Sequence, residues 1–167
     1  MNRIENPDSV DERAAIRAVN AAAFGGFDEA DLVDKLRADA HALISLVAVI
    51  ESSVVGHVMF SRMWIRTSSG LVSAVALAPV AVLPEHQRKG IGSLLIQHGL
   101  EMLQDRGERI VIVVGHPNYY PRFGFSTEKA KLLKSPFPSE AFMALELSAG
   151  ALDGIQGSVV YPSAFGI

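Results

Sequence analysis

Apolar residues recur at helical spacing near the start of the chain and then run in strand-like blocks. Ile16, Val19, Ala23 and Phe24 form a stripe, and Ser9 followed by Glu12 has the spacing of a capping box, so the pattern predicts a helix through about Phe24. Gly25-Gly26 breaks it. A second helix follows from about Asp28 to Asp39, with Leu32, Val33 and Leu36 on one side. Leu43 to Ile50 and Val54 to Trp64 read as strands joined by a turn at Glu51-Ser52-Ser53. Gly70 opens a long apolar strand that ends near Leu83. Pro79 lies inside that strand and removes a ladder donor, so the sheet is expected to be irregular there.

After Pro84 to Lys89 a third helix is predicted to about Arg106. Ile91, Leu94, Leu95, Met102 and Leu103 fall on one face with Gly99 between them, and Gly107 suits a left-handed C-terminal cap. Arg109 to Val114 is a short β-branched strand with the look of burial on both faces. Gly115 to Arg122 makes a turn or short helix, and the segments around Phe142 to Leu147 and Ser158 to Tyr161 are predicted strands. Antiparallel hairpins thus come first and a crossover helix later. That order predicts a single α/β domain with a mixed, mostly antiparallel sheet flanked by helices.

Composition narrows the function. The 167 residues, 49% hydrophobic and 20% charged, suit one soluble domain with a real core. Eighteen acids against fifteen Lys and Arg give a net charge of −3, which argues against a broad nucleic-acid-binding face. The absence of cysteine excludes disulfides, thiolate metal sites and a cysteine-bound thioester intermediate. Arg3, Glu5, Asp8, Asp11, Glu12 and Arg13 argue against a signal peptide, and the longest apolar run, Leu71 to Leu83, is too short for a membrane helix. The expectation is a cytoplasmic protein without nucleic-acid or membrane partners. The five histidines lack the short spacing of a metal pair, so no metal site is expected.

The chemistry concentrates in "VLPEHQRKGIGSLLIQHGL", Val82 to Leu100. A strand, a short loop with glycines and a basic pair, and then a helix make a general anion site. The first-turn N–H groups have no helical acceptor and carry partial positive charge, and Gly90 and Gly92 let a phosphate approach the main chain. Neither G-x-x-x-x-G-K-[ST] nor G-x-G-x-x-G is present, so the two commonest phosphate motifs are excluded. A glycine turn with two solvated basic residues is the plain alternative.

Gln87-Arg88-Lys89-Gly90-Ile91-Gly92 resembles the Q/R-x-x-G-x-G/A signature of the GNAT superfamily of acyl-CoA-dependent N-acetyltransferases. "VAVLPEHQRKGIG" resembles the strand and loop that lead into it. "HPNYYPRFGF", His116 to Phe125, is similar to the family's Tyr-x-x-x-Gly-Phe segment, and "VVGHVMFSRM", Val54 to Met63, to its third strand. The resemblance covers about Leu43 to Phe125 well and the two ends loosely. It implies a GNAT-like fold and acetyl-CoA as co-substrate. It also implies that the amides of Arg88, Lys89, Gly90, Ile91, Gly92 and Ser93 hold the pyrophosphate, and that Ala81, Val82 and Leu83 pair with the pantetheine arm. On the same ground Tyr120 falls on the family's catalytic tyrosine, and Asn118 lies where members contact the pantetheine or the departing thiol.

Transfer from a thioester to an amine needs a neutral amine, a donor for the tetrahedral oxygen and a proton for the departing thiolate. A backbone N–H can serve the second need and a tyrosine the third. With no cysteine, direct attack in a ternary complex is the natural route. Phe125 and Tyr119 read as structural, Glu85 as a solvated loop residue and His98 as a helix-edge residue. Many family members place an acid on the fourth or fifth strand as base, whereas Leu71 to Leu83 and Ile110 to Val114 contain none. The base is open between His57, His116, a water chain and an amine that arrives neutral. The acceptor is open between small-molecule and peptide amines, a homodimer stays open, and the rival function is a non-catalytic acyl-CoA-binding sensor or regulatory module.

Overall fold

The structure is a computed structural model that describes residues 2–5 and 10–167, with side chains described from residue 12 onward. The chain divides into two compact units, Met1–Ser61 with Ala78–Met102, and Arg62–Leu77 with Leu103–Ile167.

The first unit begins with strand β1 (Asn2–Glu5), helix α1 (Val10–Phe24) and helix α2 (Asp28–Ala38). Strand β2 (Ala42–Ile50) pairs antiparallel with β1 and with the first part of β3 (Ser53–Thr67), in a register that sets Ser45 opposite Met59 and Val47 opposite His57. The last part of β4 (Gly70–Val82), a 3₁₀ turn at Pro84–His86 and most of α3 (Ile91–Asp105) complete the unit. Ile16 and Val19 of α1, Val33 and Leu36 of α2, and Leu95 and Ile96 of α3 are buried. Arg17 joins the first two helices through Asp31 at 3.0 Å and Asp34 at 2.6 Å. Those pairs are half-exposed, so most of the docking energy comes from the apolar faces.

The predicted elements recur with small shifts. α1 ends at Phe24 as expected, while the Ser9 half of the capping box lies outside the described residues. α2 ends at Ala38 rather than Asp39, and α3 starts at Ile91. Two stripe residues need correcting. Phe24 is 45% exposed and Leu94 44%, because each sits on the flank of its helix rather than its buried centre. In α3 the buried centre is held by Leu95 and Leu103, as expected, together with Ile96 and Leu100. β1 was not predicted. It is a short strand at the edge of β2 that its own sequence does not mark.

In the second unit the later part of β3 pairs antiparallel with β8 (Gly157–Val160). The first part of β4 runs parallel to β5 (Ile110–Val114) through Val75↔Val111 and Ala76↔Ile112. β5 pairs antiparallel with β7 (Phe142–Glu146), and the two-residue β6 (Leu133–Lys134) lies parallel to β8. The strand pairing is therefore mixed and mostly antiparallel, as expected. Ile110 through Val113 are buried, and only Val114, at the strand end, is open to solvent. Ile110, Ile112, Phe142 and Ala144 share a core with Met63, Ile65, Ala130 and Leu133. Beside it, Arg62 binds Glu108 through both guanidinium ends, at 2.9 and 2.5 Å, and donates to the Ala74 carbonyl at 3.1 Å. This two-pronged geometry is the strong form of a carboxylate pair.

Candidate active site

The first unit holds the predicted anion loop. Leu83 leaves β4 with its N–H donated to the Val55 carbonyl at 2.8 Å, and its own carbonyl accepts the His86 N–H at 2.8 Å. Gln87 then folds back, and its side-chain amide donates to the Val82 carbonyl at 2.9 Å. Strand end and loop are thereby tied together. Arg88 (φ +64°) and Gly90 (φ +83°) both take left-handed backbone, so the chain doubles back twice within three residues. Such alternation turns successive N–H groups to one side, the arrangement that makes an anion nest. A Cβ at Gly90 would meet no atom within 4 Å, so glycine is needed there for its φ rather than for room.

The first helical bond of α3 runs from the Leu94 N–H to the Gly90 carbonyl at 3.1 Å. The amides of Ile91 and Gly92 therefore precede the helical ladder and face the positive end of the helix dipole. Gln87, Arg88, Lys89 and Gly90 are exposed. Of the predicted coenzyme residues, Ala81, Val82, Leu83 and Arg88 through Ser93 all lie in this unit, on one continuous turn of chain. Both backbone groups of Leu83 are already engaged within the protein. Gln87 is the brace of this turn, a part its place in the motif does not announce.

Asn118 and Tyr120 lie in the second unit. After β5, the His116 carbonyl accepts the N–H of Tyr119 at 3.1 Å and of Tyr120 at 3.4 Å, and a 3₁₀ turn follows at Tyr120–Phe123. Asn118 is exposed in this turn. The Tyr120 ring packs edge-on against Phe125 at 6.0 Å and Tyr119 at 5.0 Å. Gly115 lies directly beneath it, and a Cβ there would stand 2.3 Å from the ring. Gly115 is thus a seat for Tyr120 that no motif announced. Burial, with a smaller contribution from Tyr119, pushes the Tyr120 phenol up to about 12, and no hydrogen bond contributes. Tyr119 is held differently: the Arg122 guanidinium lies 4.4 Å from its ring centroid, and Arg122 Nε donates to its carbonyl at 2.8 Å. Phe125 is buried, as expected of a core residue.

His57 was one candidate for the base. It is fully buried on β3, and its hydrogen-bond partners come from α1 and β2. Asn20 Nδ2 donates to the Ile16 carbonyl at 3.0 Å and also reaches His57 Nδ1 at 3.2 Å, so Nδ1 is the acceptor. The proton then sits on Nε2, which donates to Ser45 Oγ at 2.9 Å, and Ser45 Oγ also accepts from Arg37 at 2.6 Å. Burial, reinforced by the Arg37 charge, lowers the His57 imidazole to about 3. With both ring nitrogens engaged and no exposure, His57 braces helices to strands. His116 is exposed. Among the described residues no group of His, Cys, Asp and Glu is arranged to hold a metal ion, and no helix is long and apolar enough to cross a membrane.

A family model for the acetyltransferase (GNAT) domain matches residues 6–127. The chain belongs to the GNAT acetyltransferase family. It is 41% identical over 130 residues to the uncharacterized N-acetyltransferase YjhQ of Escherichia coli K12, covering 75% of this chain and 72% of that protein. Its fold matches the crystal structure of the GNAT family N-acetyltransferase YhbS from Escherichia coli in complex with CoA, at a TM-score of 0.88 and 30% identity, over 100% of this chain and 92% of that one. A GNAT family acetyltransferase from Brucella melitensis in complex with acetyl-CoA matches at a TM-score of 0.82 and 34% identity, over 99% and 98% of the two chains.

Proposed function

We propose that this protein transfers an acetyl group from acetyl-CoA to a primary amine by direct attack. The observation that carries the reading is the braced loop at Gln87–Gly92, where two left-handed residues and a helix start present amides to an anion. The YhbS and Brucella proteins, seen with CoA and acetyl-CoA, support it.

The residues divide the work. The amides of Arg88 through Ser93 hold the pyrophosphate, with Arg88 and Lys89 adding charge at the solvent side. Ala81 and Val82 offer strand-end backbone to the pantetheine arm, and Asn118 adds a side-chain contact. Acetyl-CoA supplies an activated acyl group, and the cysteine-free chain has no thiol to accept it first. Tyr120 keeps its proton across the neutral range, so it can donate to a departing sulfur. The tyrosinate left behind would be a strong base and would recover a proton from the newly acylated nitrogen. Over the cycle one amine proton ends on the thiol.

The test is calorimetry with acetyl-CoA, followed by thiol release over a broad amine panel. Micromolar binding and turnover of at least one amine are expected. Binding without turnover of any amine would overturn catalysis and leave a coenzyme-binding module. No binding would overturn the reading altogether.

A further inference from the structure

The segment from β6 to β7, with the residues that lead into it, lines a cavity of about 710 Å³ wholly within the second unit. That volume is in the range of small-molecule sites, which typically run about 300–1,000 Å³. Its walls combine apolar groups (Leu133, Phe137, Phe142) with three charged ones (Lys131, Lys134, Glu140). The charges are sorted along the chain. Both lysines stand on the limb that enters the loop, and Glu140 stands on the limb that leaves it.

The two lysines are not equivalent. Lys131 is paired with Glu128. Lys134 is exposed, has no acidic partner among the described residues, and is fixed in place by the register of β6 against Ser158 of β8. The outgoing limb is anchored elsewhere. Ala141, next to Glu140, accepts the Gly115 N–H at 3.0 Å, and Phe142 is the register partner of Val114. Gly115 is the seat of Tyr120. Glu140 therefore belongs to the limb fastened to the Tyr120 turn, and Lys134 to the other.

We propose that this cavity binds the amine acceptor, and that the acceptor is a small zwitterion with an apolar body, a free amino acid of the aliphatic or aromatic kind. This rests on the acetyltransferase reading above. Lys134 takes the carboxylate, the apolar walls take the side chain, and Glu140 draws the ammonium toward the limb that leads to Tyr120. In the transfer an N–C bond forms and the thioester C–S bond breaks. The ammonium loses one proton to solvent before attack and a second to the departing thiol.

The test uses the full-length ¹⁵N-labelled protein titrated with leucine, leucinamide and a leucyl peptide amidated at its C-terminus, alongside acetyl transfer to each. Leucine is expected to shift the amides of 130–142 saturably and more strongly than leucinamide. Lys134→Ala should weaken leucine binding about tenfold, raise the leucine KM by the same factor, and leave kcat, the acetyl-CoA KM and the response to leucinamide unchanged. Lys134→Arg should restore most of the binding. Equal responses to leucine and leucinamide, preference for the amidated peptide, or an unchanged Lys134→Ala variant would each overturn the assignment. Leucine binding at these amides without transfer to any amine would overturn the acetyltransferase reading while supporting the ligand class of the cavity. Transfer to other amines with no leucine response would overturn the cavity assignment alone.

Discussion

His57 and Tyr120 are both ionisable side chains withdrawn from water, and their surroundings differ in kind. His57 has a hydrogen-bond partner at each ring nitrogen, and those partners are themselves bonded to Ile16 and Arg37. Tyr120 has a packed ring, a glycine beneath it and a hydroxyl whose shift owes nothing to a hydrogen bond. Burial alone says little about what either group can do. A group whose lone pairs and protons are all committed, as those of His57 are, has nothing to offer a ligand.

The most severe way to break the comparison is Tyr120→Phe. It removes the unclaimed hydroxyl and keeps the ring, so turnover should fall roughly 10²–10⁴-fold with acetyl-CoA affinity and Tm nearly unchanged. Tyr119→Phe, measured beside it at saturating acetyl-CoA, should stay close to wild type. Equal activity in both variants, or a rate loss that tracks unfolding, would return Tyr120 to the core. Gly115→Ala attacks the seat instead of the hydroxyl. Its Cβ would stand 2.3 Å from the ring, so Tyr120 must move, and a displacement near 1 Å should cost up to about 10²-fold in rate. The acetyl-CoA Kd should hold, and a variant as fast as wild type would show that the ring position does not matter.

For His57 the expected effect lies in stability. The unfolded chain takes up its proton near 6.5 and the folded protein only near 3, so between these values the unfolded state binds more protons. His57 therefore favours folding fully above pH 6.5, and its contribution falls away as the pH drops toward 3. From pH 7 to pH 4.5 the loss attributable to this residue should be about 2–3 kcal/mol. Urea unfolding at both pH values should show that component in the wild type and not in His57→Gln. An identical pH dependence in the two proteins would mean that the imidazole is charged in the fold. The smallest effect belongs to Arg88 and Lys89. Alanine at both should weaken acetyl-CoA binding only several-fold, with a loss that shrinks in high salt, because exposed charges are screened. A salt-independent loss would move the source from charge to loop geometry.

Helices and strands were legible where a period extends over many residues, as in α2, β2 and α3. The turn before α3 was legible because it is local: a strand, eight residues and a helix start follow one another in the chain. The remaining features depend on contacts between distant positions. His57 stands alone in an apolar strand, and nothing in its neighbours announces Asn20, Ser45 or Arg37. Gly115 reads as an ordinary turn residue until Tyr120 folds onto it. β6 has only two residues, too few for any alternation to register, yet it carries Lys134. Phe24 and Leu94 fit their helical stripes by spacing, but a stripe has edges, and spacing does not say where they fall.

The packing of α3 has a consequence for how coenzyme affinity could be tuned. A Cβ at Gly99 would stand 2.1 Å from the Phe60 ring, and one at Gly56 would stand 3.1 Å from both Ile91 and Leu95. The helix thus rests on β3 at two glycines, one beneath its first turn and one two turns further along. Its height above the strand is set by the absence of side chains at those points, and the amides at its start inherit that height. A methyl group added at either position would act as a shim. Affinity for a phosphate could then drift through generations of core substitutions that never touch the ligand, and a search for tighter or looser variants has as much reason to begin at Gly99 as at Gly90.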